Sequence, residues 1–255
     1  MATQANTASG AHAGDRFFLI ASIVIAAIFI AGFTTQLAAG RSSFAAAPIV
    51  HVHAIVFFGW VTIFVLQNAL ITSGSIALHR RLGWLGLGWS IAMVGIGIAL
   101  MLHIVRSAST PFIFQPQYFL VANVLALLGF AGLTWAAVAM RRKTDWHRRL
   151  HLAGITVILG PAFGRLLPMP LLIPWSFQIA CLFSIATLVI IAALDARRLG
   201  HWHPAWTRGV AVAVTMLVVP QLIAFGPLGA AIYRAATVGS PGAAISPLEF
   251  PPPPM

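Results

Sequence analysis

Seven long apolar stretches fill most of this chain, and its positive charge falls mainly in alternate gaps between them. A helix needs about 20 mostly apolar residues to cross the hydrocarbon of a bilayer. Stretches of that kind lie near 17–39, 49–76, 82–105, 117–140, 148–167, 171–194 and 209–234. Charged residues make up 7% of the 255 positions. Soluble domains carry about 25%, so this chain lacks the charge to face water over most of its surface. The expected fold is an all-α integral membrane bundle of about seven transmembrane helices. Residues 1–16 read as a cytoplasmic N-terminal tail and 17–236 as a single transmembrane domain. Residues 237–255 read as a disordered tail, because the run Phe250-Pro-Pro-Pro-Pro-Met255 favours extended polyproline conformation. The first stretch is longer than the apolar region of a signal peptide and reads as a retained helix. The fifth is the least regular, since Pro161, Pro168, Pro170 and Pro174 interrupt it and its neighbour.

Orientation follows from the basic residues. The N-terminal segment and the gaps after stretches two, four and six hold eleven of the 15 Lys and Arg; Arg41, Arg106, Arg165 and Arg234 are the other four. That asymmetry predicts a cytoplasmic N-terminus and an external C-terminus. The net charge of +11 is therefore read as helix anchoring, with no nucleic-acid partner. The acids are only Asp15, Asp145, Asp195 and Glu249, none well inside a stretch. Proton- and cation-coupled transport usually needs such carboxylates. The one lysine, Lys143, lies in a gap, which excludes a retinal Schiff base within a helix. Cys181 is the single cysteine, so neither an intrachain disulfide nor a thiolate cluster can form.

A short internal echo stands out. Residues 78–86 read LHRRLGWLG and 146–154 read WHRRLHLAG, so His79 aligns with His147 and Gly86 with Gly154. Each copy opens an odd-numbered stretch. A duplicated two-helix hairpin within 49–182 produces this pattern; chance recurrence of basic residues at helix starts is the alternative. Gly160 and Gly164 form a small-xxx-small pair, suited to close backbone approach.

Nine histidines carry the remaining chemistry. His53 shares a helical stripe with Phe57, Trp60, Phe64 and Gln67, which suits either a helix interface or an axial haem ligand. His53 and His79 are 26 residues apart in sequence, about 39 Å along a continuous helix. The histidines thus sort into an outer group (His51, His53, His103) and an inner group (His79, His147, His151, His201, His203), with His12 in the tail. A b-type haem in a helical bundle takes one imidazole from each of two helices. His53 with His103 suits an outer haem b, and His79 with His147 or His151 an inner one. His151 lies one turn deeper than His147 and is the expected haem ligand, with His147 the expected lipid or metal contact. Arg80, Arg81, Arg148, Arg149 and Arg165 are candidates for an anionic group such as a propionate or lipid phosphate. In a second reading the HRRL segments bind anionic lipid or a partner subunit and catalyse nothing. In a third, His147, His151, His201 and His203 hold a non-haem metal, as in a membrane hydroxylase, although the H-x-x-H-H box of such enzymes is missing.

The segment His51–Gly83, with H-x-H, Trp60, Gln67 and HRRLG, together with HRRL at 147–150, resembles a group of uncharacterised bacterial multi-pass membrane proteins. The likeness covers roughly residues 48–166. In that group the second segment continues with methionine, where this chain has His151. More loosely, histidine placement is similar to that of diheme membrane cytochromes. The first likeness implies the multi-pass architecture and no function, and the second implies electron transfer across a bilayer. With the two histidine groups, the expected reading is a bacterial inner-membrane protein with haem, in electron transfer or respiratory-chain support, and a quinone or a respiratory-chain subunit as partner.

Overall fold

The computed structural model describes residues 2–40 and 44–253, with side chains from Asp15 onward. Arg41 and the side chain of His12 lie outside the described residues. The helices are α1 (Ala2–Ala38), α2 (Pro48–Thr72), α3 (Ile76–Arg106), α4 (Pro116–Ala139), α5 (Thr144–Val157), α6 (Gly160–Leu166), α7 (Ser176–Leu199), α8 (Pro204–Ala224) and α9 (Pro227–Thr237). Six of them contain a segment long and apolar enough to cross a membrane: Asp15–Ala38, Pro48–Thr72, Ile76–Arg106, Pro116–Ala139, Ser176–Leu199 and Pro204–Ala224. The chain is a multi-pass helical membrane protein.

Punctuation residues set these boundaries. Pro48, Pro116, Pro204 and Pro227 open helices at the first position, where a missing N–H costs nothing. Gly200 closes α7 with φ 77°, a conformation that favours glycine.

Two expected stretches come out differently. Residues 148–167 are not one continuous helix: α5 ends at Val157, and α6 restarts at Gly160. Pro161 has no N–H to donate, and its ring crowds the carbonyl four residues back, so the helix breaks just before it. The stretch 209–234 divides as well. α8 starts earlier, at Pro204, and stops at Ala224; Gly226 is extended, and Pro227 begins the separate helix α9. α3 also begins before the expected residue 82, so the first HRRL segment lies inside its opening turns.

The helices share two common ends. At one, Asp15 of α1 meets Thr72 of α2, through Thr72 Oγ1 donating to the Asp15 carbonyl at 3.4 Å. Arg149 of α5 meets Asp195 of α7 and Trp206 of α8 at this same end. At the other, Gln36 near the end of α1 donates to the Arg165 carbonyl in α6 at 2.7 Å. The broken pair α5–α6 therefore runs the length of the bundle. The first end carries the Arg- and Lys-rich gaps and is called the basic end below; the second is the far end.

Around the bundle α1 packs on α2, α2 on α3, α3 on α4 and α4 on α5, while α6 closes the ring against α1. α7 and α8 lie outside this ring against α4, α5 and α6. Close approaches occur where glycine allows them. A Cβ on Gly32 would lie 2.6 Å from the Ala162 carbonyl oxygen, and one on Gly209 2.5 Å from the Ala153 Cβ. The expected approach at Gly160 and Gly164 is not there: their nearest neighbours are side chains at 3.9 and 3.5 Å. Ala162, between them, carries the contact instead.

The segment expected as a disordered tail makes defined contacts as far as Leu248. A short 3-10 turn, Pro241–Ala244, sits against the end of α3, where Gly242 approaches the Val105 carbonyl so closely that no Cβ would fit. Gln117 N donates to the Pro247 carbonyl at 2.9 Å, and Gln115 Nε2 to that of Leu248 at 2.6 Å. These bonds occupy groups at the start of α4, which composition alone does not reveal.

Candidate functional site

The ring of α1 to α6 surrounds an interior that side chains fill, because helices on opposite sides of it do not pack extensively on one another. At the basic end of this interior stand three histidines from two helices. His79 of α3 faces His147 of α5, with ring centroids 6.3 Å apart and planes at 90°. His151, one turn along α5, packs against His147 at 4.7 Å. All three are half-buried.

The two HRRL histidines sit in matching surroundings. His147 Nδ1 lies 2.8 Å from the Ala137 carbonyl near the end of α4, an arrangement that puts the proton on Nδ1 and leaves Nε2 as an acceptor. His79 lies against the backbone of Gln67 near the end of α2. Gly86 packs on Ile63 and Trp60 of α2, as Gly154 packs on Leu133 and Thr134 of α4. Each odd helix thus rests on the even helix before it through a histidine at its start and a glycine two turns on.

Several polar atoms in this interior are buried without a partner: Trp60 Nε1, Gln67 Oε1, His79 Nδ1 and Thr134 Oγ1. Buried polar groups are ordinarily hydrogen-bonded, so these atoms on α2, α3 and α4, unpartnered among the described residues, are suited to meet a polar ligand or water. A histidine nitrogen binds a metal at about 2.0–2.1 Å, which sets two imidazole centroids on opposite sides of one ion about 6 Å apart. The spacing of His79 and His147 fits one ion with two axial imidazoles. Trp60 of α2 and Phe130 of α4 meet edge-on at 5.4 Å in the core of this interior.

The other expected histidine sets are not assembled. His103 is exposed at the far end of α3, and no contact joins it to His53 among the described residues. Phe57 lies against Gly97 across α2 and α3, a register that leaves His103 well beyond the level of His53. His53 instead stacks on Phe57 at 3.9 Å, and its Nδ1 has no partner. His51 Nε2 lies 3.2 Å from the Phe44 carbonyl. His203 caps α8, its Nδ1 accepting from Ala205 N at 3.1 Å, and its ring packs on Trp146 at 5.3 Å. His201 is exposed. Among the described residues no three His, Cys, Asp or Glu side chains are arranged to hold a metal, so His147, His151, His201 and His203 do not form one centre.

The arginines divide sharply. Arg80 and Arg81 are exposed. Arg149 is fully buried and donates through Nε to the equally buried Asp195 at 2.7 Å. Its Nη1 bonds the Asp145 carbonyl and carboxylate at 2.8 and 3.2 Å. Asp195 also accepts from Trp206 Nε1 at 2.9 Å and from Arg198 at 2.6 Å. Arg148 pairs with Asp145 at 2.5 Å and Asp15 at 3.6 Å, and lies over the Phe18 ring at 4.7 Å. Three of the chain's four acids therefore converge on one network joining α1, α5, α7 and α8. Arg148 and Arg149, expected to take an outside anion, are neutralised from within. The sequence hides this hub: Asp195 reads as a residue at a helix end, and only the packing of α5 against α7 buries it. A polar group at the far end was likewise unmarked. Gln117 Nε2 donates to the Ala224 carbonyl, while Tyr118, whose hydroxyl has no partner, packs between Phe177 and Phe225.

Comparison with protein-family models, curated proteins and solved structures finds no match.

Proposed function

We propose that this chain is a seven-crossing membrane protein that binds one b-type haem at the basic end, between His79 and His147, and serves electron transfer. In this reading α5 and α6 together make the fifth crossing, and the basic end faces the cytoplasm of a bacterial inner membrane. The observation that carries it is the facing pair of half-buried imidazoles 6.3 Å apart, surrounded by orphaned polar atoms. His79 and His147 would hold the haem, which would supply one-electron redox chemistry. The chain's own residues hold and tune it. The Ala137 carbonyl fixes the His147 ring and raises the basicity of its free nitrogen. Arg80 and Arg81, exposed at the start of α3, are placed near the edge of such a site to meet propionates. His151 then packs beside the ligand pair rather than serving as the axial residue. Nothing comparable supports an outer haem at His53 and His103.

The experiment is the haem-to-protein ratio of the full chain purified from haem-replete cells. The expected value is one haem per chain, with a Soret band and a reduced α-band. Colourless protein rejects the reading, and two haems per chain reject the single site. The exposure of Arg80 and Arg81 favours a second reading, in which the HRRL segments only anchor anionic lipid or a partner subunit. It predicts that His79→Ala and His147→Ala leave the protein's spectrum unchanged. A C-terminal reporter fusion tests the topology: activity outside the cytoplasm is expected, and cytoplasmic activity overturns seven crossings.

A further inference from the structure

We infer that Arg165 and His53 form a second ligand site, at the far end between α1, α2 and α6, for the phosphate of an anionic lipid. The site does not depend on haem binding. Arg165 is half-buried on α6, with its guanidinium over the Phe33 ring of α1 at 4.1 Å. Its one hydrogen bond among the described residues joins Nη1 to the Pro161 carbonyl of its own helix at 2.9 Å. A guanidinium has five N–H donors, so most of its donors have no protein acceptor. All five ion pairs among the described residues lie at the basic end, on Asp15, Asp145 and Asp195. Among the described residues no carboxylate reaches Arg165.

A cation in this position is costly unless an anion meets it. The structure holds it there nonetheless. Gln36 bonds the Arg165 carbonyl at 2.7 Å and fixes the end of α6 to α1. Phe33 fixes the plane of the guanidinium from one face. His53 of α2 lies within reach of the Arg165 charge, and its Nδ1 is buried without a partner among the described residues. A planar fork with free donors, held flat on an aromatic ring, matches a tetrahedral oxyanion. Gln36 is near the end of α1, which sets the site at headgroup depth rather than at the bilayer centre.

The test uses the full chain in a neutral detergent with three probes: phosphatidylglycerol, phosphatidylcholine and inorganic phosphate. Native mass spectrometry and melting temperature are read for wild type and Arg165→Gln. Wild type is expected to retain phosphatidylglycerol and to melt higher as it is added, with Arg165→Gln binding at least tenfold more weakly. Phosphatidylcholine is expected to bind weakly to both. If inorganic phosphate alone stabilises wild type and not Arg165→Gln, the oxyanion site stands and its source is free phosphate. Equal binding of phosphatidylglycerol by both proteins, or of both lipids by wild type, overturns the proposal. Should Arg165→Gln fail to fold, a photoactivatable phosphatidylglycerol on wild type decides. Label on the segments carrying Phe33, His53 or Arg165 supports the site, and label confined to the basic end overturns it.

Discussion

The segments His79–Leu82 and His147–Leu150 have the same four residues and bring their histidines near one another, yet their arginines have opposite fates. Both histidines point into the ring and meet at 6.3 Å. Arg81 is exposed, whereas its counterpart Arg149 is fully buried on Asp195. The cause lies in the neighbours. α3 packs on α2 and α4, and neither brings a carboxylate. α5 packs on α7 and α8 as well, which deliver Asp195 and Trp206. A repeated motif thus keeps the part that faces the shared interior and diverges in the part that faces its own outside layer.

The largest expected effect separates the two arginines. Removing one partner of a buried ion pair costs about 3–5 kcal/mol, because the other charge is stranded. Arg149→Met is therefore expected to lower stability by that order, while Arg81→Met, as a surface change, stays within about 0.5 kcal/mol. Denaturant or thermal unfolding in micelles measures both. Similar losses from the two would remove the distinction between the buried and the exposed arginine.

Trp206→Phe comes next. It keeps most of the buried volume and removes one hydrogen bond to a charged group, worth about 1.5–3 kcal/mol. Arg149 and Arg198 still hold Asp195, so the lower part of that range is expected in the same unfolding assay. A loss as large as that of Arg149→Met would mean that the indole bond from α8 holds Asp195 as strongly as the ion pair from α5 does.

Much of the bundle was open to reading from sequence, and the limits have physical causes. Periodicity and length located the six long helices because lipid demands continuous apolar runs. Pro161 flagged the weak fifth stretch without saying that α5 and α6 would still traverse the bundle. The split of α8 and α9 was hidden because both pieces are apolar, and one Gly-Pro step makes the break. The offset that aligns His79 with His147 is matched in space by two rings 6.3 Å apart. Preference for His151 over His147 rested on depth along one helix, whereas the spacing across the ring sets His147 opposite His79. Asp195 could not be found in this way, since burial of a helix-end acid depends on which distant helix packs beside it.

A sharper test of the likeness between the copies uses their glycines. A Cβ on Gly86 would lie 3.3 Å from Ile63 Cγ2, and one on Gly154 3.5 Å from Leu133 Cβ. Alanine gains up to about 1 kcal/mol of helix propensity over glycine, against which stands slight crowding at both sites. Gly86→Ala and Gly154→Ala are expected to stay within about 1 kcal/mol of wild type and to agree with each other. A large loss at only one breaks the correspondence.

The smallest effect concerns pH at the outside layer of the second copy. Burial, reinforced by Arg149 and His201 and opposed by Asp145 and Asp195, holds the His203 imidazole below its ordinary value. Unfolded histidine titrates near pH 6.5, roughly. The folded chain therefore binds fewer protons here than the unfolded chain as pH falls. This contribution to stability is full above about pH 6.5 and is lost progressively below it. Protonation also removes the Nδ1 acceptor that caps α8. His203→Asn keeps a capping acceptor without the titration, so its melting temperature is expected to fall less than that of wild type between pH 7 and pH 5. An identical fall in both proteins places the sensitivity elsewhere.

The most direct test of the central claim, that the two HRRL histidines form one haem site across the ring, is the reduced absorption spectrum of His79→Ala and His147→Ala with and without added imidazole. Both variants are expected to lose the low-spin α-band, and free imidazole to restore it in each, while His103→Ala keeps the wild-type spectrum. Either HRRL variant retaining the wild-type α-band without imidazole would contradict the account.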